Sequence, residues 1–272
     1  MLYFKNKDCK LYNQDNLEIL KELPDNYIDL IYCDILYNTG RKFKDYDDNL
    51  GTPQEAILWY EPRLVEMKRV LKDSGSIYLH MDFRLVHYMK VKMDEIFGIN
   101  NFVNEIIWCY RSAGFSKNKY SSKHDNILFY SKTKNFNFNM EEVRENEIAE
   151  ETLKRFEKDI EKYGGHYFTY KNGKAYRHNP YSPPRDWWDI KALPQAHPER
   201  KGYDTQKPKK LIERIIKASS NSGDIVADFF MGSGTTGEVA VESGRKFIGC
   251  DISERACEIT KNRILSLNGE NF

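Results

Sequence analysis

Apolar and polar positions alternate along the chain in a way that predicts short strands separated by helices. The apolar run from Tyr27 to Cys33 predicts a buried strand. Further runs of this kind predict strands at residues 74–82, 105–110, 126–131, 224–230 and 245–251. Apolar residues at helical spacing predict helices at residues 16–23, 52–71, 85–97, 208–219, 235–242 and 253–267. This alternation indicates an α/β fold, with a mostly parallel sheet covered by helices on both faces.

Two of the predicted helices have recognisable ends. Pro24 stops the first helix, because proline cannot continue a helical hydrogen-bond ladder. Thr52, Pro53 and Glu55 form a capping box with proline at the first helical position, so the second helix begins there. Pro62 lies inside this second helix and is expected to bend it.

Length and composition narrow the class of protein. The chain has 272 residues, of which 40% are hydrophobic, which is enough for one domain with or without an insertion. It contains no uncharged apolar run of about 18 residues, and its first residues lack the apolar stretch of a signal peptide. We therefore expect a soluble, cytoplasmic protein. The five cysteines are scattered without a C-x-x-C pair, which predicts reduced thiols and neither disulfides nor a metal site.

The net charge of +1 conceals an uneven distribution of charge. Residues 111–134 carry six basic side chains and one acidic one, and residues 170–217 carry twelve basic and five acidic side chains. Aromatic residues are interspersed with the basic ones, a mixture suited to phosphates and unstacked bases. Solvated loops over a core explain the composition equally well. Residues 141–163 have the spacing of a charged amphipathic helix.

A carboxylate and an aromatic ring follow the strand predicted at residues 27–33. The sequence there is "DILYNTG", so Asp34 and Tyr37 stand at the exit of the strand, before a break at residues 38–40. A helix or turn cap would explain Asp34 alone. Together with Tyr37, it is more typical of a binding or catalytic site.

A second signal is the stretch "DFFMGSGTTGEVA" at residues 228–240. Gly232, Gly234 and Gly237 match G-x-G-x-x-G between a strand and a helix, and Asp251 ends the next strand. Such glycines let the backbone approach an adenosine-bearing ligand, and the acid can hold the ribose hydroxyls. A tight packing turn between strand and helix is the alternative. Only 21 residues follow Asp251, so the rest of the sheet must lie upstream and this loop comes late in the chain.

Both signals follow strands, and the carboxyl ends of parallel strands meet at one edge of a sheet, where ligands bind. The combination resembles the beta class of S-adenosylmethionine-dependent DNA amino-methyltransferases, in which the catalytic motif precedes the cofactor motif. The segments that carry the resemblance are residues 11–40, 71–82, 104–132, 199–220 and 224–253. The resemblance implies one Rossmann-like methyltransferase domain over residues 1–272. It would have a seven-stranded sheet and an inserted target-recognition region at about residues 111–200.

The resemblance also implies which residues bind S-adenosylmethionine. Those expected around the methionine part of the cofactor are Asp228, Phe229, Gly232, Ser233, Gly234, Thr235 and Thr236, and Asp34 is also expected to contact the cofactor. Asp251 would bind the ribose, and the segment beside the adenine would be Asp15 and Asn16. The motif expected to close over the cofactor's carboxylate is Thr205, Gln206, Lys207 and Pro208.

Residues 34–37 occupy the place of the family's catalytic Asp-Pro-Pro-Tyr. By this match, Asp34 and the backbone carbonyl of Ile35 would accept the two N–H bonds of the target amino group. The lone pair of the nitrogen would then point at the sulfonium methyl. Tyr37 would stack on a base flipped out of the duplex.

Three departures from the family's motifs concern proline. Ile35 and Leu36 replace both prolines of the catalytic motif. The "DFF" segment at residues 228–230 lacks the proline of the family's Asp-Pro-Phe. Asp204 stands where the family's motif "YPTQKP" has proline. The acceptor carbonyl of the catalytic loop is retained, because it belongs to the backbone. The stiffness of fixed φ angles is lost, so the loop must be held by packing.

The implied activity is methylation of the N6 amino group of adenine, because a leading aspartate usually accompanies adenine in the resembling families. The alternatives are methylation of cytosine N4 and a DNA-binding or partner subunit with weakened chemistry. Cys33 could suggest cytosine C5 chemistry, but it ends an apolar strand beside Asp34, which favours a buried core thiol.

Double-stranded DNA is the partner that the resemblance implies. The residues expected to contact it are Arg111, Lys117, Lys119 and Lys123. A second copy of the chain and a companion restriction endonuclease are further partners that the resemblance suggests.

Overall fold

The computed structural model describes residues 1–110, 116–145, 168–171, 174–177, 183–267 and 269. The chain divides into two compact units, one made of Met1–Phe138 with Asp186–Phe272 and the other of Asn139–Arg185. The larger unit contains the main sheet and both predicted motifs.

The described strands agree with the predicted pattern and add several short ones. In chain order they are β1 (Leu2–Lys5), β2 (Cys9–Asn13), β3 (Ile28–Asp34), β4 (Arg41–Lys42), β5 (Asp47–Asp48), β6 (Leu71–Met81), β7 (Phe102–Cys109), β8 (His124–Ser131), β9 (Phe168–Lys171), β10 (Lys174–Arg177), β11 (Trp187–Asp189), β12 (Ile225–Asp228) and β13 (Lys246–Asp251). Nine of them form the main sheet in the order β1-β2-β13-β12-β3-β6-β8-β7-β11. Strands β4 and β5 form a separate hairpin.

The main sheet is mostly parallel, as predicted. Strands β2, β13, β12, β3 and β6 are parallel neighbours, and β11 is parallel to β7. Strand β8 runs antiparallel to both β6 and β7, and β1 runs antiparallel to β2. The expected number of seven strands is wrong for this chain, because β1 and β11 extend the sheet at its two edges.

Helices cover both faces of the sheet. The described α-helices are α1 (Asn16–Glu22), α2 (Pro53–Val70), α3 (Val86–Phe97), α4 (Lys209–Ser219), α5 (Thr235–Glu242) and α6 (Glu254–Leu267). Buried side chains of α1, α2 and α3 form one core, and those of α4, α5 and α6 form a second core. Strand β3 supplies apolar side chains to both cores, which explains its unbroken apolar run.

The predicted beginning of α2 is confirmed. The Thr52 hydroxyl accepts a hydrogen bond from the Glu55 backbone N–H, and the Glu55 carboxylate accepts one from the Thr52 backbone N–H. Pro53 stands at the first helical turn, and Pro62 lies inside the helix as expected. The capping box therefore fixes where α2 begins after the loop that follows β3.

The sheet brings the ends of several strands to one edge. Strands β3, β6, β12 and β13 are parallel, so their carboxyl ends lie together, at Asp34, Met81, Asp228 and Asp251. Because β8 is antiparallel to β6, its first residues lie at this same edge. We call it the active edge.

The smaller unit is described in part. It contains a short 3-10 helix at Met140–Val143 and the antiparallel hairpin of β9 and β10. The amphipathic helix predicted over residues 141–163 falls outside the described residues from residue 146 onward. Among the described parts of the chain, no helix is long and apolar enough to cross a membrane.

Candidate active site

A cavity of about 410 Å³ opens at the active edge of the larger unit. Its walls include both predicted motifs, since Asp34 and Tyr37 share it with Gly232 and Asp251. Predicted cofactor residues that line it are Asp15, Asn16, Thr205, Lys207, Asp228, Phe229, Ser233, Thr235 and Thr236. The fold therefore assembles residues that lie far apart in the sequence around one space.

The glycine turn that follows β12 is held by Asp251 from the next strand. One carboxylate oxygen of Asp251 accepts a hydrogen bond from the Gly232 N–H at 2.9 Å, and the other accepts one from the Ser253 N–H at 2.9 Å. Gly234 has a φ of +73°, and a Cβ there would lie 2.3 Å from the Thr260 hydroxyl oxygen. Any side chain at position 234 would collide with Thr260 of α6. The alternative explanation of the motif, a tight packing turn between strand and helix, therefore also holds for this glycine.

The Asp251 carboxylate keeps lone pairs that a ribose could use. Its two oxygens accept backbone hydrogen bonds from Gly232 and Ser253, and each carboxylate oxygen has two lone pairs. Burial raises the pKa of Asp251, although the Ser253 and Gly232 N–H groups oppose that shift. Two ribose hydroxyl groups would satisfy the remaining lone pairs.

Asp15 and Asn16 are organised by a residue that the sequence did not single out. The buried Arg63 donates from Nη2 to Asp15 at 2.6 Å and from Nε to Asn16 at 2.7 Å. Its guanidinium carbon also lies 3.4 Å from the centroid of the Trp59 ring, which lines the cavity. Asn16 in turn donates to the Phe229 carbonyl at 2.9 Å. This chain of contacts joins the predicted adenine segment to the end of β12.

Asp228 is buried at the end of β12 and keeps its partners inside the turn. Its carboxylate accepts hydrogen bonds from the Thr236 hydroxyl at 2.6 Å and from the Phe230 N–H at 3.0 Å. Burial raises the pKa of Asp228 to about 7, against the lowering effect of these two donors. The Asp228 carboxyl group therefore keeps its proton to a higher pH than a solvent-exposed aspartate does.

The residues of the segment 205–207 have two different positions: two line the cavity, and one holds the turn. Thr205 and Lys207 line the cavity, and the Tyr46 hydroxyl lies 3.4 Å from the Thr205 hydroxyl oxygen. The buried Gln206 instead accepts from the Lys201 N–H at 2.8 Å and donates to the Glu199 carbonyl at 2.7 Å. The structure thus places Gln206 as a brace of this turn, outside the cavity lining, and its cofactor role stays a prediction.

A hairpin that the sequence did not predict forms another wall. Strands β4 and β5 place Phe43 and Tyr46 in the cavity lining, with their rings stacked at 4.8 Å between centroids. Asp45 at the tip accepts two hydrogen bonds from Arg255 of α6, at 2.9 and 2.8 Å. Arg255 also donates to the Gly202 carbonyl, so it joins the hairpin to the turn before Thr205.

Asp34 and Tyr37 are in direct contact at the end of β3. The Tyr37 hydroxyl donates to one oxygen of Asp34 at 2.9 Å, and Lys207 donates to the other. The Lys207 ammonium also lies 5.2 Å from the centroid of the Tyr37 ring. Burial, together with the negative charges of Asp34 and Asp125, raises the pKa of Tyr37 well above its ordinary value. Tyr37 therefore keeps its proton and acts as a hydrogen-bond donor.

The loop that lacks both prolines is held by packing and by hydrogen bonds. Ile35 is 3% exposed and packs in the core of α1, α2 and α3, and the Tyr60 hydroxyl donates to the Leu36 carbonyl at 3.0 Å. The buried Asp48 of β5 accepts from the backbone N–H groups of Asn38 and Thr39, each at 3.0 Å. The expectation that packing replaces the prolines agrees with the burial of Ile35.

A buried polar cluster behind Tyr37 was missed by sequence reasoning. Asp125, at the start of β8, lies 3.2 Å from the Tyr37 hydroxyl and accepts from the Tyr110 hydroxyl at 3.0 Å. His80 of β6 is fully buried, and its Nε2 lies 3.3 Å from Asp125, although not aligned as a hydrogen bond. Its Nδ1 lies 2.9 Å from the Tyr32 hydroxyl oxygen.

Cys33 is a core residue of this region. It is fully buried, and burial together with the charge of Asp228 raises the pKa of its thiol well above the ordinary value. A buried neutral thiol is a weak nucleophile. This agrees with the predicted core position and argues against cytosine C5 chemistry.

The predicted DNA-binding lysines lie in the connection between β7 and β8. Lys117 and Lys119 are exposed, and Lys123 is partly exposed, next to the start of β8 at the active edge. Arg111 lies outside the described residues. The described part of this connection is therefore exposed, basic and attached at the edge that carries Asp34.

The comparisons with known proteins identify the family. A sequence pattern described as DNA methylase, of the N6 and N4 methyltransferase type, matches residues 28–262. The chain belongs to this DNA methylase family. Membership confirms the family expected from the motifs, the methylation of DNA as the reaction, and S-adenosylmethionine as the methyl donor.

Individual relatives of the DNA methylase are similar over most of this chain. It is 32% identical to the type II methyltransferase M.HpaI of Haemophilus parainfluenzae, over 94% of this chain and 74% of the relative. It is 32% identical to the DNA adenine methyltransferase YhdJ of Escherichia coli, over 96% and 84%. It is 40% identical to the type II methyltransferase M1.MboII of Moraxella bovis, over 90% and 92%.

Solved structures of similar fold support the architecture. The structure of the cytosine-N4-specific PvuII DNA methyltransferase matches with a TM-score of 0.66 and 18% identity, over 96% of this chain and 94% of that one. That of the M1.HpyAVI–SAM complex matches with a TM-score of 0.55 and 21% identity, over 94% and 99%. The α/β fold of the DNA methylase is thereby confirmed.

Proposed function

We propose that this DNA methylase transfers a methyl group from S-adenosylmethionine to the N6 amino group of adenine in double-stranded DNA. One observation carries the proposal. Asp34 and Tyr37 line the same cavity as Gly232 and Asp251. An amino group that Asp34 holds would therefore share a single space with a cofactor that the glycine turn holds.

The residues of the cavity divide the work of binding. Asp251 would hold the ribose of the cofactor, with Asp15 and Asn16 beside its adenine and the Gly232 turn beside its methionine part. When bound, S-adenosylmethionine supplies an electrophilic methyl group on sulfur. Lys207 would face the cofactor's carboxylate from across the cavity.

The target amine needs help because its lone pair is conjugated into the ring. Asp34 and the Ile35 carbonyl would accept its two N–H bonds and direct the lone pair at the methyl group. The target base would leave the duplex to reach the cavity, and Tyr37 would stack on it there. The anchored loop at residues 34–40 keeps these groups in place.

Adenine is favoured over cytosine by the first residue of the catalytic loop. Asp34 leads the motif, and the larger ring system of adenine offers Tyr37 more area to cover. The relative YhdJ is described as a DNA adenine methyltransferase. The second candidate, cytosine N4, fits the same acceptor geometry, and the PvuII enzyme of similar fold is cytosine-N4-specific.

Nucleoside mass spectrometry decides between the two bases. Plasmid DNA of varied sequence is incubated with the protein and S-adenosylmethionine, digested to nucleosides and analysed. We expect N6-methyladenine from the natural chain and no methylated base from the Asp34→Ala variant. N4-methylcytosine would overturn the adenine assignment. If neither base is methylated, although the protein is folded and binds cofactor, the chain is a DNA-binding or partner subunit.

We also propose residues 111–200 as the target-recognition region, with DNA contacts from Arg111, Lys117, Lys119 and Lys123. The exposed lysines follow β7 and precede β8, so they extend from the active edge. Part of this range lies in the main sheet, because β8 and β11 belong to it. Recognition would therefore depend on the connections around these strands.

Two further partners belong to the proposal. A second copy of the chain would form a homodimer, which sedimentation velocity over a range of concentrations would detect. A companion restriction endonuclease would cleave the site that this chain protects. Its test is resistance of the methylated plasmid to nucleases that cut at the sites found by base mapping.

A further inference from the structure

Tyr37 has one hydroxyl proton and two carboxylates within reach of it. Its oxygen lies 2.9 Å from Asp34 Oδ1 and 3.2 Å from Asp125 Oδ2. A phenol can donate one hydrogen bond at a time, so it cannot fully serve both acceptors. The resting arrangement therefore has an alternative, reached by rotation of the Tyr37 hydroxyl without any proton leaving its oxygen.

The choice between the acceptors matters for Asp34. Lys207 already contacts Asp34 Oδ2, and the Tyr37 hydroxyl contacts Oδ1, so both oxygens have a donor before DNA arrives. An incoming amino group must donate to an oxygen that already has a donor, or it must displace one of these donors. Redirecting the Tyr37 hydroxyl would leave Oδ1 as a full acceptor for the amine.

Asp125 is built to accept the redirected hydroxyl. Burial alone would raise the pKa of Asp125, but His80, Lys207 and the hydrogen bond from Tyr110 lower it below its ordinary value. The carboxylate is therefore available as a charged acceptor. Its backbone is also held in the sheet, because it pairs with Trp108 near the active-edge end of the β7–β8 ladder.

We propose that Asp125 is a positioning residue for methyl transfer, which takes the Tyr37 hydroxyl when Asp34 engages the target amino group. The inference rests on the proposed use of Asp34 as the acceptor for that amino group. It gives the catalytic loop a second anchor on a sheet strand, in addition to Asp48, where the family's motif has two prolines. Asp125 itself would touch neither the base nor the cofactor.

A double-mutant cycle with Tyr37→Phe tests this role. The rate of tritium transfer from labelled S-adenosylmethionine into DNA is measured at saturating substrates for the natural chain, Asp125→Asn, Tyr37→Phe and the double variant. We expect Asp125→Asn to lower kcat about tenfold in the natural chain but less than about twofold in the Tyr37→Phe background. The cofactor Kd, measured by calorimetry, should stay within about twofold.

Asp94→Asn is the matched control. Asp94 also accepts from a tyrosine hydroxyl, that of Tyr130 at 2.7 Å, and pairs with Lys90, but it does not line the cavity. We expect its kcat to equal that of the natural chain. If Asp125→Asn does not fold, Asp125→Ser replaces it in the same cycle, because a serine hydroxyl is too short to reach Tyr37.

The outcomes separate this inference from the proposed function. An equal loss of kcat in both backgrounds, or no loss in the natural chain, would overturn the role of Asp125 while leaving the methylation activity intact. An absence of transfer by the natural chain would instead overturn the proposed function. Because the label counts methyl groups on any base, a cytosine product would refute only the adenine assignment, and the cycle would remain valid.

Discussion

Asp34 is occupied on both sides in the free protein, by Tyr37 on one oxygen and Lys207 on the other. Its acceptor strength is therefore shared until substrate arrives, and the residues around it have distinct effects on binding and on chemistry. In the proposed function, Tyr37 would contact the target base and Asp251 would contact the cofactor. Substitutions at these two positions should separate the two functions.

Replacing Tyr37 by alanine should reduce methyl transfer and leave cofactor binding nearly unchanged. The lost stacking contact with the flipped base is worth about 1–3 kcal/mol, or roughly 5- to 150-fold in rate. The measurement is kcat/KM for DNA, with the cofactor Kd from calorimetry. Tyr88→Ala is the control, since Tyr88 is an exposed tyrosine on α3. Equal activity of Tyr37→Ala and the natural chain would remove Tyr37 from the site.

Replacing Asp251 by alanine should have the opposite effect. Hydrogen bonds from ribose hydroxyls to a charged carboxylate contribute about 1.5–3 kcal/mol, so the cofactor Kd should rise by roughly 10- to 150-fold. Calorimetric titration with S-adenosylmethionine measures it, with Asp73→Ala as an exposed aspartate control. Since Asp251 also holds the Gly232 N–H, a melting curve must accompany the titration. An unchanged Kd would place the ribose elsewhere.

Asp228 predicts a pH dependence of stability. Its pKa is about 7 in the folded protein, whereas an unfolded aspartate titrates near its ordinary value of about 3.9. Between these values the folded state binds more protons than the unfolded state, so a rise in pH lowers the free energy of unfolding. Asp228→Asn removes this effect, because asparagine does not ionise.

The stability of Asp228→Asn relative to the natural chain should therefore increase from pH 5 to pH 7 and level off above about pH 8. The slope is at most about 1.4 kcal/mol per pH unit. Urea unfolding of both proteins at several pH values, without cofactor, measures the difference. A difference that stays constant across this range would mean that Asp228 is ionised throughout.

At the scale of elements, sequence reasoning succeeded where the apolar pattern alone determined the result. The boundaries of α5 match the predicted helix at residues 235–242, and the capping box of α2 was found from three residues. Strands β3, β12 and β13 were recognised because buried parallel strands are almost continuously apolar. The polar residues at their ends then indicated the active edge.

The missed elements have physical reasons. Strands β1 and β11 are short edge strands, and half-exposed edges carry little apolar pattern. The hairpin of β4 and β5 has two residues in each strand and contains mainly polar side chains. Asp125 was overlooked because it lies just before the predicted strand at residues 126–131, and only the antiparallel direction of β8 brings it to the active edge. No local pattern in the sequence reports that direction.

The hairpin of β4 and β5 should influence how long the cofactor stays bound. Arg255→Ala removes the paired hydrogen bonds to Asp45 and the link to Gly202. We expect the cofactor to dissociate about 5- to 30-fold faster, since a charge-assisted pair is worth about 1–2 kcal/mol. Stopped-flow displacement measures the rate. Lys217→Ala, which removes a surface ion pair on α4, is the control and should not change it. An unaltered dissociation rate would exclude the hairpin as a retaining wall.

At the scale of the whole molecule, a net charge of +1 gives no general attraction to DNA. Binding must depend on where the basic residues lie. The described connection between β7 and β8 places the exposed Lys117 and Lys119 close to the active edge in the sequence. The salt dependence of DNA binding should therefore reveal the contribution of this connection.

The triple variant Lys117→Ala, Lys119→Ala and Lys123→Ala should bind duplex DNA more weakly and with a lower salt dependence. Each lost phosphate contact reduces the slope of log K against log salt by about 0.9. Fluorescence anisotropy from low to moderate salt measures the slope. Alanine at Lys5, Lys7 and Lys10, which lie in or beside the first two strands, is the control. A slope equal to that of the natural chain would place the DNA surface elsewhere.

The pairing of β12 with β3 joins Val226 to Leu30 and Ala227 to Ile31, across most of the chain. During synthesis, β3 leaves the ribosome long before β12. The edge of β3 that pairs with β12 in the folded protein therefore has no partner during this time. Contacts between residues so far apart in the chain form slowly. Until they form, a strand that is buried in the folded protein stays exposed and is prone to aggregate. The nascent chain therefore holds Asp34 well before it holds a cofactor turn. Unfinished chains of this methylase would therefore methylate no DNA. Chaperones would be needed mainly during the time between the synthesis of β3 and that of β12.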